Sequence, residues 1–378
     1  MAYFKILDCC FIILYDKNVK SAAVCLFIAS LLFFIGCNSP PVQASGAQQP
    51  SIPTTAEEEQ VEEDEHLSDF IPPELNLLPP GTELPVTSFT EIWGYVLSGR
   101  ESALTPQLPV TDVVYFGAEV DAYGKLSEIP DFRNLSSYRG RKHFVATCGS
   151  RSLTHFVLLE GSPERRALVS DLLTAARPYD GLQIDFENVP ARDGEAFLSF
   201  LRELRQGLGN KIFSIALSGR TRATSGDVYD YARIRPIVDR IFVMAYDEHW
   251  SNSEPGPIAS MGWSQAVARY ALETIGPEKL IMGLPFYGRS WGNITPNTAY
   301  VYSGIERIIR EQDITEIERE NGIPNFSYVT PLSMTVYFED AYSLSTRLEM
   351  YKRLGVRSVG FWRLGQETLS IWPHIRVE

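Results

Sequence analysis

From residue 86 onward the chain alternates short apolar runs with longer amphipathic stretches, and the spacing of apolar residues separates the two. The runs at 91–96, 112–116, 143–147, 182–186, 212–217, 241–246, 280–285 and 356–362 are rich in Val, Ile, Phe and Tyr and read as strands. Between several of them lie helical patterns. In the clearest, Phe197, Phe200, Leu201, Leu204 and Leu208 recur at helical spacing and predict one buried stripe. The stretches 163–176, 265–274 and 343–354 are predicted helices too, the last stopped by Gly355. Strands and helices alternating in this way over about 290 residues predict an α/β fold, a single (β/α)8 TIM barrel spanning 86–378.

One connection is too long for a simple crossover. Between the seventh and eighth strands the segment 291–337 carries its own helical stretch, 305–321, and then a Pro/Tyr/Val-rich part. It reads as a small α+β insertion forming one wall of a cleft.

The stretch YDGLQIDFE, 179–187, holds the most suggestive pattern. Gln183, Asp185 and Glu187 alternate with Leu182, Ile184 and Phe186, so the three polar side chains point the same way. Two carboxylates are thereby held side by side at a strand's carboxyl end. Alternation alone also fits an amphipathic strand with one wet face, and by itself favours that plainer reading.

Charge and composition narrow the partners. The net charge is −13, but eight acidic residues fall within 57–69, so the excess belongs largely to one segment and the folded part is not a polyanion. Nucleic acid is not an expected partner. Residues 38–85 are rich in Pro, Ser, Gln and Glu and predict a disordered tether. Ahead of it, Lys17 and Lys20 precede an apolar run, 21–35, that is short for a membrane span of ~20 residues and predicts an export leader over 1–37. The sequence Gly36-Cys37 followed by Asn38-Ser39 resembles the lipobox of bacterial lipoproteins, in which the cysteine receives the lipid. That resemblance implies a membrane anchor at Cys37; an uncleaved signal anchor is the alternative. With the leader removed, Cys148 is the one cysteine left in the body, so no disulfide is expected. The histidines are scattered, and neither metal nor cofactor is expected. The protein is expected to be a monomer.

In such barrels working residues sit at the carboxyl ends of strands. Here those ends carry Glu187, Tyr246, Asp247, Tyr287, Arg289 and Trp362, while the first strand contributes Trp93 and Tyr95. Carboxylates among aromatic faces, with no nucleophile triad and no phosphate-binding glycine loop, suit a carbohydrate ligand. Asp180 reads as a turn stabiliser, Met244 and Cys148 as core, and His249 as a loop histidine. Arg289 fits a substrate contact and a structural ion pair equally.

The segment DGLQIDFE resembles the DGxDxDxE signature of family 18 glycoside hydrolases, the chitinase-like barrels; MAYD at 244–247 and Trp362 are similar to that family's strand-six and strand-eight motifs. The wording of IDFENVP, MAYDEHW, GLPFYGRSW and GFWRLG is similar to the spore-cortex-lytic, peptidoglycan-directed branch. The resemblance implies a substrate-assisted mechanism. Glu187 would be general acid and then base, Asp185 would orient the substrate's acetamido group, and Tyr246 would hydrogen-bond the same group. Trp362 would floor the sugar subsite, with Gln183, Asp247, Tyr95, Tyr287 and Arg289 as further substrate contacts. The implied substrate is an N-acetylglucosamine polymer, peptidoglycan first, with chitin or an N-glycan core as the alternative. A sugar-binding surface lipoprotein without activity is the competing class. Gln183 departs from the family's usual Asp; its amide is expected to relieve charge crowding and donate to the Asp185 carboxylate.

Overall fold

The computed structural model describes residues 75, 77–293, 297–329 and 332–378. The expected leader with Cys37, and the expected tether up to residue 74, lie outside the described residues.

Eight parallel strands close on themselves in sequence order: β1 (Glu91–Leu97), β2 (Asp112–Val120), β3 (Arg141–Cys148), β4 (Gly181–Phe186), β5 (Ile212–Ser218), β6 (Arg240–Met244), β7 (Leu280–Pro285) and β8 (Ser358–Trp362). The ring shuts where β8 pairs with β1 and β1 with β2. This is the expected (β/α)8 barrel. Closure leaves no sheet edge, and both strand faces are buried, one against helices and one in the barrel interior. The helix Gly194–Leu208 shows the outer contact, burying Phe197, Phe200, Leu201, Leu204 and Leu208 on the predicted stripe. The helix Ala341–Leu354 opens with a capping box between Asp340 and Ser343 and ends at Gly355, whose φ of 96° is left-handed and therefore favours glycine.

Inside the barrel, Trp93, Tyr95, Val114, Val145, Phe242 and Ile281 pack together. Phe242 fits because β8 offers it a glycine: a Cβ on Gly360 would stand 2.4 Å from the Phe242 ring. At the amino-terminal end the barrel is closed by ion pairs between side chains. Glu91 accepts from Arg240 and Arg141, Asp112 accepts from Arg141 and bonds His143, and the Trp93 indole donates to Glu91. Trp93 is thus fully buried at the barrel's base, stacked 4.3 Å from His143, and not at the mouth where its strand position had suggested.

Between β7 and β8 the chain forms an antiparallel five-stranded sheet with the helix Tyr302–Glu311 packed on it. The sheet begins at Tyr287, directly after β7. The helix expected over 305–321 is shorter than its sequence pattern. Apolar periodicity ends at Ile309, and Asn321-Gly322, with φ of 49° and 92°, turns a hairpin between Glu318–Glu320 and Ile323–Val329. Asn-Gly is the strongest short hairpin signal, and it overrides helix propensity here. Residues 77–85 run along the barrel, where the Tyr342 hydroxyl donates to the Leu78 carbonyl and His374 bonds the Leu84 carbonyl.

Candidate active site

All six residues of β4 are buried, so the wet-face reading of its alternation does not hold. Leu182, Ile184 and Phe186 face the helices, with Phe186 stacked 5.7 Å from Phe200, and the alternate face turns into the barrel. A strand pattern reports two faces; closure into a barrel decides that the polar one is an interior. Asp180, before the strand, accepts the Lys142 amide N–H at 2.8 Å and fixes the entry turn.

Gln183 lies lowest and is fully buried. The Tyr95 hydroxyl donates to its Oε1 at 2.5 Å, and its Nε2 donates to Ser214 Oγ at 3.3 Å. The expected bond from the Gln183 amide to Asp185 is therefore absent, because that amide is committed to β1 on one side and β5 on the other. Asp185 stands one step higher, 6% exposed, with Oδ1 lacking a partner. Burial, then the charge of Glu187, pushes its pKa well above the usual carboxylate range. Glu187, one residue past the strand, opens to solvent in the mouth. Its pKa is raised too, by partial enclosure and by the charge of Asp247.

The chain after β6 supplies the opposite side. Tyr246 lies edge to face with Tyr287 at 6.4 Å, and burial keeps its phenol protonated. Asp247 has a φ of 57°, a left-handed conformation that Asp tolerates better than most residues, and its Oδ1 accepts the Tyr287 hydroxyl at 2.5 Å and pairs with Arg289 at 3.6 Å. Trp362, ending β8, meets Tyr95 at 5.2 Å and Phe116 at 5.0 Å, both edge to face.

Together these groups surround a cavity of about 380 Å³ at the carboxyl ends of the strands. Tyr95, Asp185, Glu187, Tyr246, Asp247 and Trp362 line it. Gln183, Tyr287 and Arg289 do not: Gln183 is beneath the floor, while Tyr287 and Arg289 brace Asp247 from behind. The structure places these three against residues that do line the cavity, Tyr95 for Gln183 and Asp247 for Tyr287 and Arg289. Phe116, Ser218 and Trp263 line it without having been anticipated, and so does Met244, half-buried and not the core residue expected. Phe116 and Ser218 end or nearly end predicted strands and were reachable by the barrel rule; Trp263 comes from the helix Met261–Thr274, whose placement the sequence pattern did not reveal. Cys148 is buried and its thiol is pushed up to about 11, and His249 bonds the Glu254 carbonyl in its own loop. Among the described residues no group of His, Cys, Asp or Glu is arranged to hold a metal.

A closed barrel with an acidic, aromatic-lined cleft at the carboxyl ends of its strands defines a carbohydrate-active architecture. Residues 91–367 match the model of glycosyl hydrolases family 18, and the chain belongs to that family. It is 32% identical over 238 residues to YdhD of Bacillus subtilis, a protein named as a sporulation-specific glycosylase, covering 59% of this chain and 56% of that one. It is 29% identical over 236 residues to the cortical fragment-lytic enzyme of the same organism, covering 57% of this chain and 54% of that protein. The chain thus spans about half the length of these curated relatives. The crystal structure of the spore cortex-lytic enzyme SleL of Bacillus cereus superposes with a TM-score of 0.69 at 22% identity, over 80% of this chain and 77% of that one, a likeness of fold.

Proposed function

We propose that the protein hydrolyses β-glycosidic bonds next to N-acetylglucosamine in peptidoglycan glycan strands, by a substrate-assisted, retaining mechanism. The observation that carries this reading is the unequal carboxyl pair at the end of β4: Asp185, buried with a free Oδ1, and Glu187, open to the cleft, both with raised pKa. Environments that separate two carboxyl groups assign them different tasks. Glu187, its pKa raised, protonates the glycosidic oxygen as the bond to the anomeric carbon breaks. The carbonyl oxygen of the substrate's own acetamido group attacks that carbon from the opposite face. As the acetamido N–H docks on its unpartnered oxygen, Asp185 passes its proton to Glu187 and, now ionised, stabilises the oxazolinium cation. The Tyr246 phenol, kept protonated by burial, donates to the acetamido oxygen. Glu187, now a carboxylate, then deprotonates the water that opens the ring, restoring the original anomeric configuration. Trp362 offers a flat face to the apolar side of the pyranose. The similarity to a cortical fragment-lytic enzyme supports a bacterial wall glycan as substrate.

The same reading puts the barrel outside the cytoplasm, as a monomer carried on a lipid at Cys37 by the tether that precedes residue 77; incorporation of labelled palmitate, lost in Cys37→Ser, tests the anchor. Incubating the purified protein with peptidoglycan and assaying new reducing ends tests the reaction. N-acetylglucosamine reducing ends, absent with Glu187→Gln, are expected. Products from chitin with none from peptidoglycan would overturn the substrate. Equal sugar binding by wild type and Glu187→Gln, with cleavage by neither, would leave a sugar-binding protein in place of a hydrolase.

A further inference from the structure

Glu187 stands beyond the last ladder position of β4, where Phe186 pairs with Cys148, so the sheet does not hold it. The backbone that carries it is held instead by side chains from a loop, Tyr229, and from the helix Arg151–Leu158, Thr154. The Tyr229 hydroxyl donates to the Phe186 carbonyl at 2.8 Å and accepts the Val189 amide N–H at 2.8 Å. One phenol thus closes the chain on both sides of Glu187. From the other flank Thr154 Oγ1 donates to the Asn188 carbonyl at 2.7 Å, and the Asn188 amide donates to the Gly149 carbonyl at 3.0 Å.

Tyr229 is itself braced. Its amide N–H donates to Asp227 Oδ1 at 3.0 Å, Asp227 pairs with Arg220 at 2.9 Å, and its ring lies edge to face with Phe197 at 6.0 Å. Phe197 belongs to the helix that Phe186 packs on, so Tyr229 refers the acid's backbone to the rigid outer layer of the barrel. We propose that Tyr229 is the positioning residue for the general acid, clamping residues 186–189 so that the Glu187 carboxyl stays aimed into the cleft. Burial raises the phenol to about 12, which keeps it the hydrogen donor that this geometry needs at any working pH. Asp185 on its own strand, Asp247 after β6, Tyr95 on β1 and Tyr229 itself interact electrostatically with Glu187, and none of these four is a cation that would pair with its carboxylate.

This inference rests on the proposed role of Glu187, and its test keeps the two apart. Tyr229→Phe removes one oxygen and leaves the ring packing in place. With a fluorogenic β-linked N-acetylglucosamine oligomer, kcat is expected to fall roughly 10- to 100-fold, the scale of a misplaced catalytic group, with KM nearly unchanged. The alkaline limb of the pH–rate profile is expected to move to lower pH as the carboxyl swings toward water. A merely structural hydroxyl would lower the melting temperature and leave kcat of the folded enzyme and that limb unmoved; such a result, with wild type active, overturns the clamp and spares the hydrolase. If wild type cleaves nothing, the Glu187 carboxyl is titrated by carbon-13 NMR in both proteins: a lower midpoint in Tyr229→Phe supports the clamp, and an identical one overturns it. Should that variant not fold, Asp227→Asn, which loosens Tyr229 without touching residues 186–189, is read by the same limb and midpoint.

Discussion

Glu91, at the start of β1, is 7% exposed and carries the charge balance of the barrel's base. Burial alone would raise its pKa, but hydrogen bonds and charge from Arg240, a hydrogen bond from Trp93 and the charge of Arg141 hold it at about 2, against an ordinary 4.5. Each pKa unit is worth about 1.4 kcal/mol, so ionised Glu91 contributes on the order of 3 kcal/mol to folding. The direction is that of a depressed acid: the contribution is complete above pH 4.5 and is lost as pH falls through about 2. Glu91→Gln should therefore be less stable by about 3 kcal/mol at pH 6, and the gap should shrink to roughly 1 kcal/mol at pH 3, where wild type is losing the same interaction. Urea denaturation of both proteins between pH 6 and pH 3, followed by tryptophan fluorescence, measures the gap. A gap that stays constant over that range would show that Glu91 acts through its shape and not its charge, and would refute the reasoning.

Asp185→Asn should separate stability from activity. Because the folded state raises this pKa, wild type loses stability as pH rises above the ordinary aspartate value; the variant does not, so it should melt higher at pH 8 and equally at pH 4, while kcat drops on the order of 10²-fold. Equal melting temperatures at pH 8 would sink the claim that Asp185 is ionised at a cost. Gly360→Ala sets a methyl 2.4 Å from the Phe242 ring and 3.1 Å from Trp93 Cβ, and should cost about 1–3 kcal/mol in thermal unfolding; a neutral substitution would mean that the barrel interior yields. Gln183→Asp places a carboxyl below Asp185 where Tyr95 now donates, and should move at least one limb of the pH–rate curve. Two unmoved limbs would refute it.

Much of this molecule was legible as pattern. Strands and helices alternate because each must bury one face, and that alternation, with the stripe from Phe197 to Leu208, suffices for the barrel. The polar row in β4 and the strand-end positions of Tyr246, Asp247 and Trp362 marked most of the cleft, since barrel strands expose their carboxyl ends to a shared mouth. The Asn321-Gly322 hairpin was also in the sequence and was masked by the isoleucines before it.

What tertiary structure alone decided is depth and partnership. Strand periodicity says that Gln183, Asp185 and Glu187 share a face, but only ring closure sorts them into one side chain locked to Tyr95 and Ser214, one buried with a free oxygen, and one open to the cleft. The same limit moved Trp93 from mouth to base and turned Tyr287 and Arg289 into braces for Asp247. Local sequence sets which way a side chain points. How far it lies from water, and which distant residue meets it there, depend on contacts across more than a hundred residues, such as Glu91 with Arg240, that no short window contains.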